Sequence, residues 1–118
     1  MSLFTTEIKR IGSEVDAFKE QNMMVTFYEN VPEDLATYCH IISPVAFEEE
    51  IAVGDTLIID EVPYKITFVG EVVKTNLISL GHITINFNGE SDGLAGTLGV
   101  ENKLMPTLSV GSKISLTK

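Results

Sequence analysis

The residues best suited to chemistry in this chain are its two histidines, His40 in Tyr38-Cys39-His40-Ile41-Ile42 and His82 in Leu80-Gly81-His82-Ile83-Thr84. Imidazole is neutral, nucleophilic and close to its pKa near neutrality, so each ring could carry a proton, hold a metal or accept a phosphoryl group. Each also admits a plainer role, that of a satisfied structural residue between apolar strand neighbours. Other chemistries find less support. The chain has no CxxC, no HxxxH and no Cys/His cluster, so neither a zinc site nor any other metal or cofactor is implied. Neither GxGxxG nor GxxxxGK[ST] occurs, which removes the usual phosphate cradles. Residue counts leave a Ser-His-Asp triad open, but the GxSxG elbow that would present its serine is absent.

The elements that must position these rings belong to a small acidic chain. Its 118 residues, 44% hydrophobic, suffice for one core, and we read a single domain over residues 1–118. Eight basic residues against seventeen acidic ones give a formal net charge of −9, which argues against nucleic acid and anionic membrane and in favour of a basic partner. The lone Cys39 excludes an internal disulfide, the N-terminus lacks a signal-peptide pattern, and no apolar run approaches the ~20 residues of a bilayer span. A cytoplasmic location is expected. Glu48-Glu49-Glu50 reads as a solvated loop face.

Short runs rich in Val, Ile, Thr and aromatics predict strands over Thr5 to Ile11, Met23 to Tyr28, Tyr38 to Ser43, Thr56 to Asp60, Tyr64 to Val69, His82 to Phe87, Leu94 to Val100 and Lys113 to Thr117. Gly54-Asp55, Glu61-Val62-Pro63, Asn88-Gly89, Asp92-Gly93 and Gly111-Ser112 supply the turns between them. Val53-Gly54-Asp55 and Val110-Gly111-Ser112 read as one kind of tight turn used twice to enter a strand. Two short helices interrupt the pattern. Asn30, followed by Pro32 and Glu33, predicts an N-cap and a turn or two ending near Thr37. Val73, Leu77 and Leu80 followed by Gly81 predict a helix with a glycine C-cap. Each helix delivers the chain to a histidine. The expected fold is all-β, a small closed or nearly closed barrel or sandwich, with Phe27, Ile41, Ile58, Ile66, Phe68, Ile83, Ile85 and Leu98 in its core.

The wording of the motifs is more specific than their chemistry. Thr6-Glu7-Ile8-Lys9-Arg10-Ile11-Gly12, then Thr26-Phe27, Pro32-x-Asp34-Leu35, Tyr38-Cys39, Val69-Gly70, Asn76-Leu77-x-x-Leu80-Gly81-His82-x-Thr84-x-x-Phe87-x-Gly89, Pro106 and Gly111-Ser112 follow one another through the chain. In order and spacing this series resembles the glucitol/sorbitol-specific enzyme IIA component of the bacterial phosphoenolpyruvate-dependent sugar phosphotransferase system. The resemblance implies a β-barrel-like phosphocarrier that takes a phosphoryl group from the phosphohistidine of HPr and passes it to the IIB part of the IIB/IIC sorbitol permease, meeting the membrane only through that permease. Homodimerisation stays open.

One position departs from the pattern. The resemblance implies an acceptor histidine two residues after the aromatic that follows Tyr-Cys, and Ile42 occupies that place. Isoleucine cannot be phosphorylated. His40 lies two residues earlier, about 6 to 7 Å along the strand and on the same face, which makes it the expected substitute nucleophile. His82 falls on a histidine that the family pattern also carries. The expectation is a shared pocket in which His40 attacks while His82, or a hydroxyl such as Thr84 or Ser43, steadies the phosphoryl oxygens. The competing reading is a binding or regulatory module of the same fold that transfers no phosphate.

Overall fold

The structure, a computed structural model, describes residues 2–118. In chain order it runs β1 (Ser2–Ile11), α1 (Asp16–Lys19), β2 (Met23–Phe27), α2 (Glu33–Ala36), β3 (His40–Ile42), β4 (Thr56–Ile59), β5 (Val62–Val69), α3 (Val73–Leu80), β6 (Ile83–Asn86), β7 (Thr97–Val100) and β8 (Lys113–Thr117). The strands close into a barrel in the order β1-β3-β2-β6-β7-β5-β4-β8, as an all-β chain rich in Val and Ile requires if it is to leave no unpaired edge. Six of the eight neighbouring pairs are antiparallel, whereas β2 with β3 and β6 with β7 run parallel. The first parallel pair needs a crossover, and α2 is part of it.

Period-two alternation decides what is inside. Ile8, Met24, Ile42, Leu57, Ile59, Ile66, Ile83, Ile85, Leu98 and Leu116 point into one buried cluster. Val73 and Leu77 of α3 join it. A smaller cluster of Val31, Ala36, Cys39 and Ile41, with Val25 and Phe27 packed against it, covers the outer face of β2 and β3. Five of the anticipated core residues are buried, but Phe27, Ile58 and Phe68 are only half-buried. On β4 the alternation gives the inner places to Leu57 and Ile59 and turns Ile58 outward. Phe68 lies opposite Gly99 on β7, against a backbone that offers no side chain.

Other boundaries moved for local reasons. α2 starts after Pro32 rather than at Asn30, because proline's fixed φ of −56° and ψ of 141° already bring the chain to the helix entrance. The turn expected at Glu61-Val62-Pro63 is made by Asp60 and Glu61, both at positive φ (46° and 72°), which lets Val62 and Pro63 pair with Ile59 and Ile58. The four-residue α1 was not anticipated, since no side chain caps it. The repeated Val-Gly turns do share one construction: Gly54 and Gly111 sit at φ 97° and 95°. The next side chain accepts a hydrogen bond from the amide three residues back, Asp55 from Ala52 at 2.8 Å and Ser112 from Ser109 at 3.0 Å. The two turns open β4 and β8, which are neighbours.

Candidate functional site

His82 is placed by a stop signal, a tether and a stack. Gly81 ends α3 at φ 66°, its amide bonding to the Leu77 carbonyl (3.0 Å) and the His82 amide to the Asn76 carbonyl (3.2 Å), the doubly bonded helix end that glycine favours. The Gly81 carbonyl then accepts the Thr26 hydroxyl at 2.7 Å. Immediately after this fixed point, the His82 ring turns to the outer face of β6. There it stacks on Phe27, with ring centroids 4.2 Å apart and planes at 19°. Its Nδ1 lies 3.3 Å from the Thr26 carbonyl oxygen. The ring is partly exposed in a depression of about 300 Å³ formed with Phe18, Phe27, Leu35, Tyr38, Cys39 and Thr84. Leu35 and Tyr38 are 49% and 44% exposed, unusual for large apolar groups that lie together beside a titratable ring. Burial pushes the Cys39 thiol up, so this sulfur is no competing nucleophile.

His40 has a different setting. It opens β3 on the inward face with Ile42, and it is 4% exposed. It borders a separate cavity of about 190 Å³ with Asp16 and Lys19 of α1 and Met105, Pro106 and Thr107. Its Nδ1 is buried without a hydrogen-bond partner. Burial lowers its pKa to about 4, with the Asp16 carboxylate opposing only in part, so the ring is neutral near pH 7. Ile42, at the position implied for the family acceptor, is 3% exposed and borders the barrel interior with Thr6, Thr26 and Leu77.

The structure therefore does not bring His40 and His82 into one pocket. Their cavities share no lining residue, because alternation sends His40 inward and His82 outward on a β3-β2-β6 wall. Of the two hydroxyls considered, Thr84 borders the His82 depression, while the Ser43 carbonyl accepts the Thr6 hydroxyl at 2.7 Å and the residue borders neither cavity. Sequence reasoning missed Thr26 and the stacking role of Phe27. The signal was the odd-numbered apolar pair Val25 and Phe27, which alternation sets on the same face as one another and opposite Met24. Among the described residues no group of three or more His, Cys, Asp or Glu could hold a metal ion, and no helix is long and apolar enough to cross a membrane.

The barrel has the same fold as a crystal structure titled as a PTS system IIA component from Enterococcus faecalis V583, which superposes with a TM-score of 0.82 at 23% identity, covering 97% of this chain and 99% of that one. A family profile described as PTS system glucitol/sorbitol-specific IIA component matches residues 3–115. The glucitol/sorbitol-specific EIIA components of Escherichia coli K12 and Shigella flexneri are each 34% identical over 112 residues, 93% of this chain and 90% of theirs. The chain belongs to the glucitol/sorbitol-specific IIA component family of the phosphotransferase system. Membership supports a phosphocarrier role in sugar uptake and partnership with other proteins of that system.

Proposed function

We propose that the chain is a cytoplasmic phosphocarrier of the sorbitol type, which accepts a phosphoryl group from the phosphohistidine of HPr on His82 and hands it to the IIB part of a glucitol/sorbitol permease. The observation that carries this reading is the accessible His82 ring, held at Nδ1 by the Thr26 carbonyl and set in an apolar depression. A transferable phosphoryl group must be approached in line by one protein and removed by another, with reacting atoms about 3 to 3.5 Å apart, so the acceptor cannot lie sealed in a wall. His40, at 4% exposure, offers no such approach. The sequence-based roles are accordingly exchanged: His82 is the nucleophile, and His40 stands outside the reaction. Thr84, on the border of the same depression, is the hydroxyl available to the equatorial oxygens.

The test is incubation with phosphoenolpyruvate, enzyme I and HPr, followed by intact-mass measurement of an acid-labile, base-stable phosphate. His82→Ala abolishes the added mass and His40→Phe keeps it. Loss of phosphorylation in the His40 variant with retention in the His82 variant would return the acceptor role to His40. The buried Ile42 favours the second reading, a docking or regulatory module without transfer. If the unmodified protein takes no phosphate where an Escherichia coli sorbitol IIA does, that second reading stands.

A further inference from the structure

We propose that the cavity beside His40 is a binding site for a small neutral polyol, separate from the His82 depression and joined to it through α1. Its volume of about 190 Å³ leaves room for roughly six waters at about 30 Å³ each, or for one small organic molecule. Four polar side chains border it: Asp16 and Lys19 from α1, His40 from β3, and Thr107 from the segment before β8. None of these side chains hydrogen-bonds to or ion-pairs with another described residue. At the exposed rim water serves in place of a partner. His40 is different, being only 4% exposed. Its Nδ1 is sealed and unpartnered, and Nε2, which also bonds to no described residue, is the ring nitrogen left to meet the cavity. Buried polar groups are partnered as a rule, so an inward ring without a protein partner points to a group supplied from outside.

The chemistry of the border selects the ligand. A metal ion would find two ligating side chains, Asp16 and His40, with the Lys19 cation against it. An anion would meet the Asp16 carboxylate beside Lys19, a ring kept neutral near pH 7 by burial, and a chain of net charge −9. A simple zwitterion answers Asp16 and Lys19 but leaves the imidazole alone. A hydroxyl both donates and accepts, so it bonds Nε2 in either tautomer of the ring. Further hydroxyls along a carbon chain donate to Asp16 and accept from Lys19, while its C–H faces lie on Met105, Pro106 and Leu108. α1 carries the effect outward. The element that gives Asp16 and Lys19 to this cavity gives Phe18 to the His82 depression, where Phe18 stands edge-on to Tyr38 with ring centroids 6.1 Å apart. No side chain caps α1, which is held by packing on β2, so a ligand bonded to two of its residues steadies the wall of the other site.

An NMR titration tests this without HPr or phosphoryl transfer, so its outcome does not depend on which residue accepts phosphate. The probe is D-glucitol, the polyol in the family's name, raised to about 100 mM against a dissociation constant expected in the millimolar range for a ligand of this size. The His40 ring and the Asp16, Lys19 and Thr107 amides should shift along one saturating curve, and the Phe18 and His82 rings should follow it with the same midpoint. His40→Phe, which fills the cavity and removes Nε2, should weaken binding about 10-fold or more. The surface variants Lys19→Met and Thr107→Val, which leave the core untouched, should each weaken it about 3- to 10-fold. No saturable shift, or one that survives all three substitutions, overturns the site. Tighter binding of alanine or inorganic phosphate at the same residues overturns the polyol assignment. Saturation confined to the cavity, with the Phe18 and His82 signals unmoved, overturns the link through α1.

Discussion

His40 shows what one side chain can cost. A buried Nδ1 with no partner loses the full desolvation of that atom, on the order of 1 to 3 kcal/mol. It also links folding to pH. The folded ring titrates at about 4 against 6.5 for the exposed one, first because burial penalises the cation. Between those values the unfolded chain binds a proton that the folded chain does not, so stability rises with pH through this window and is lost as pH falls. Asp16 and Lys19 border the same cavity, and the Asp16 carboxylate offsets part of the penalty. His40→Phe should therefore be at least as stable as the unmodified protein at pH 7. The stability gap between variant and unmodified protein should widen in the variant's favour by about 2 kcal/mol on going to pH 5, as read from urea unfolding at both pH values. A parallel loss in the two proteins would mean that His40 is protonated or solvated in the fold. The sequence revealed that positions 40 and 42 share a face. It could not reveal which face of the strand looks inward, because Ile41 and Ile42 are equally apolar and the deciding contacts with Met24 and Ile8 are distant in the chain.

At the scale of elements, the stretch from α3 to β6 does most to set the candidate site. Its helix end was legible, since Gly after a Leu77–Leu80 stripe has a single local reading and the left-handed φ of 66° fulfils it. The partner of that end was not legible. Tyr28 donates its hydroxyl to the Leu77 carbonyl at 2.6 Å and accepts the Val45 amide at 3.0 Å, tying β2, α3 and the segment after β3 together across more than forty residues of sequence. A Cβ at Gly81 would come within 2.2 Å of the Tyr28 ring. Gly81→Ala should thus lose about 2 kcal/mol or more, part from the left-handed backbone and part from displacing Tyr28, and it should shift the NMR signals of the His82 ring. Gly96→Ala, where no atom lies within 4 Å, should stay within about 0.5 kcal/mol of the unmodified protein. Equal thermal-unfolding midpoints for the two variants would show that the helix end does not depend on this packing. α1 escaped the sequence reading for the opposite reason: four residues with no capping side chain hold their shape through packing on β2, which no local pattern encodes.

For the whole molecule, strand number and closure followed from eight β-rich runs, but the strand order did not. Nothing local distinguishes a hairpin between β6 and β7 from the parallel pairing they adopt, because both place Ile85 and Leu98 in the core. What the barrel order does settle is which charges surround His82. α1 and α2 flank its depression, contributing Phe18 and Leu35, and both helices carry acidic first turns, Asp16 in one and Glu33 and Asp34 in the other. Arg10 neutralises part of this charge through Glu29 and Glu33 at 2.9 and 3.2 Å, while Asp34 has no such partner among the described residues. With a net charge of −9, the field over this face attracts a basic partner, and exposed charges of this kind act on encounter more than on the docked complex. The second-order rate of phosphoryl transfer from HPr should therefore fall about 10-fold as ionic strength rises from 0.05 to 0.5 M, while the single-turnover rate at saturating HPr changes little. Asp34→Lys should lower the low-salt rate and flatten the salt dependence at a stability cost of no more than about 1 kcal/mol, since Asp34 has no ion-pair partner to lose and only its place in the first turn of α2 favours an anion. A transfer rate indifferent to salt would assign recognition to the apolar contacts of Leu35 and Tyr38 alone.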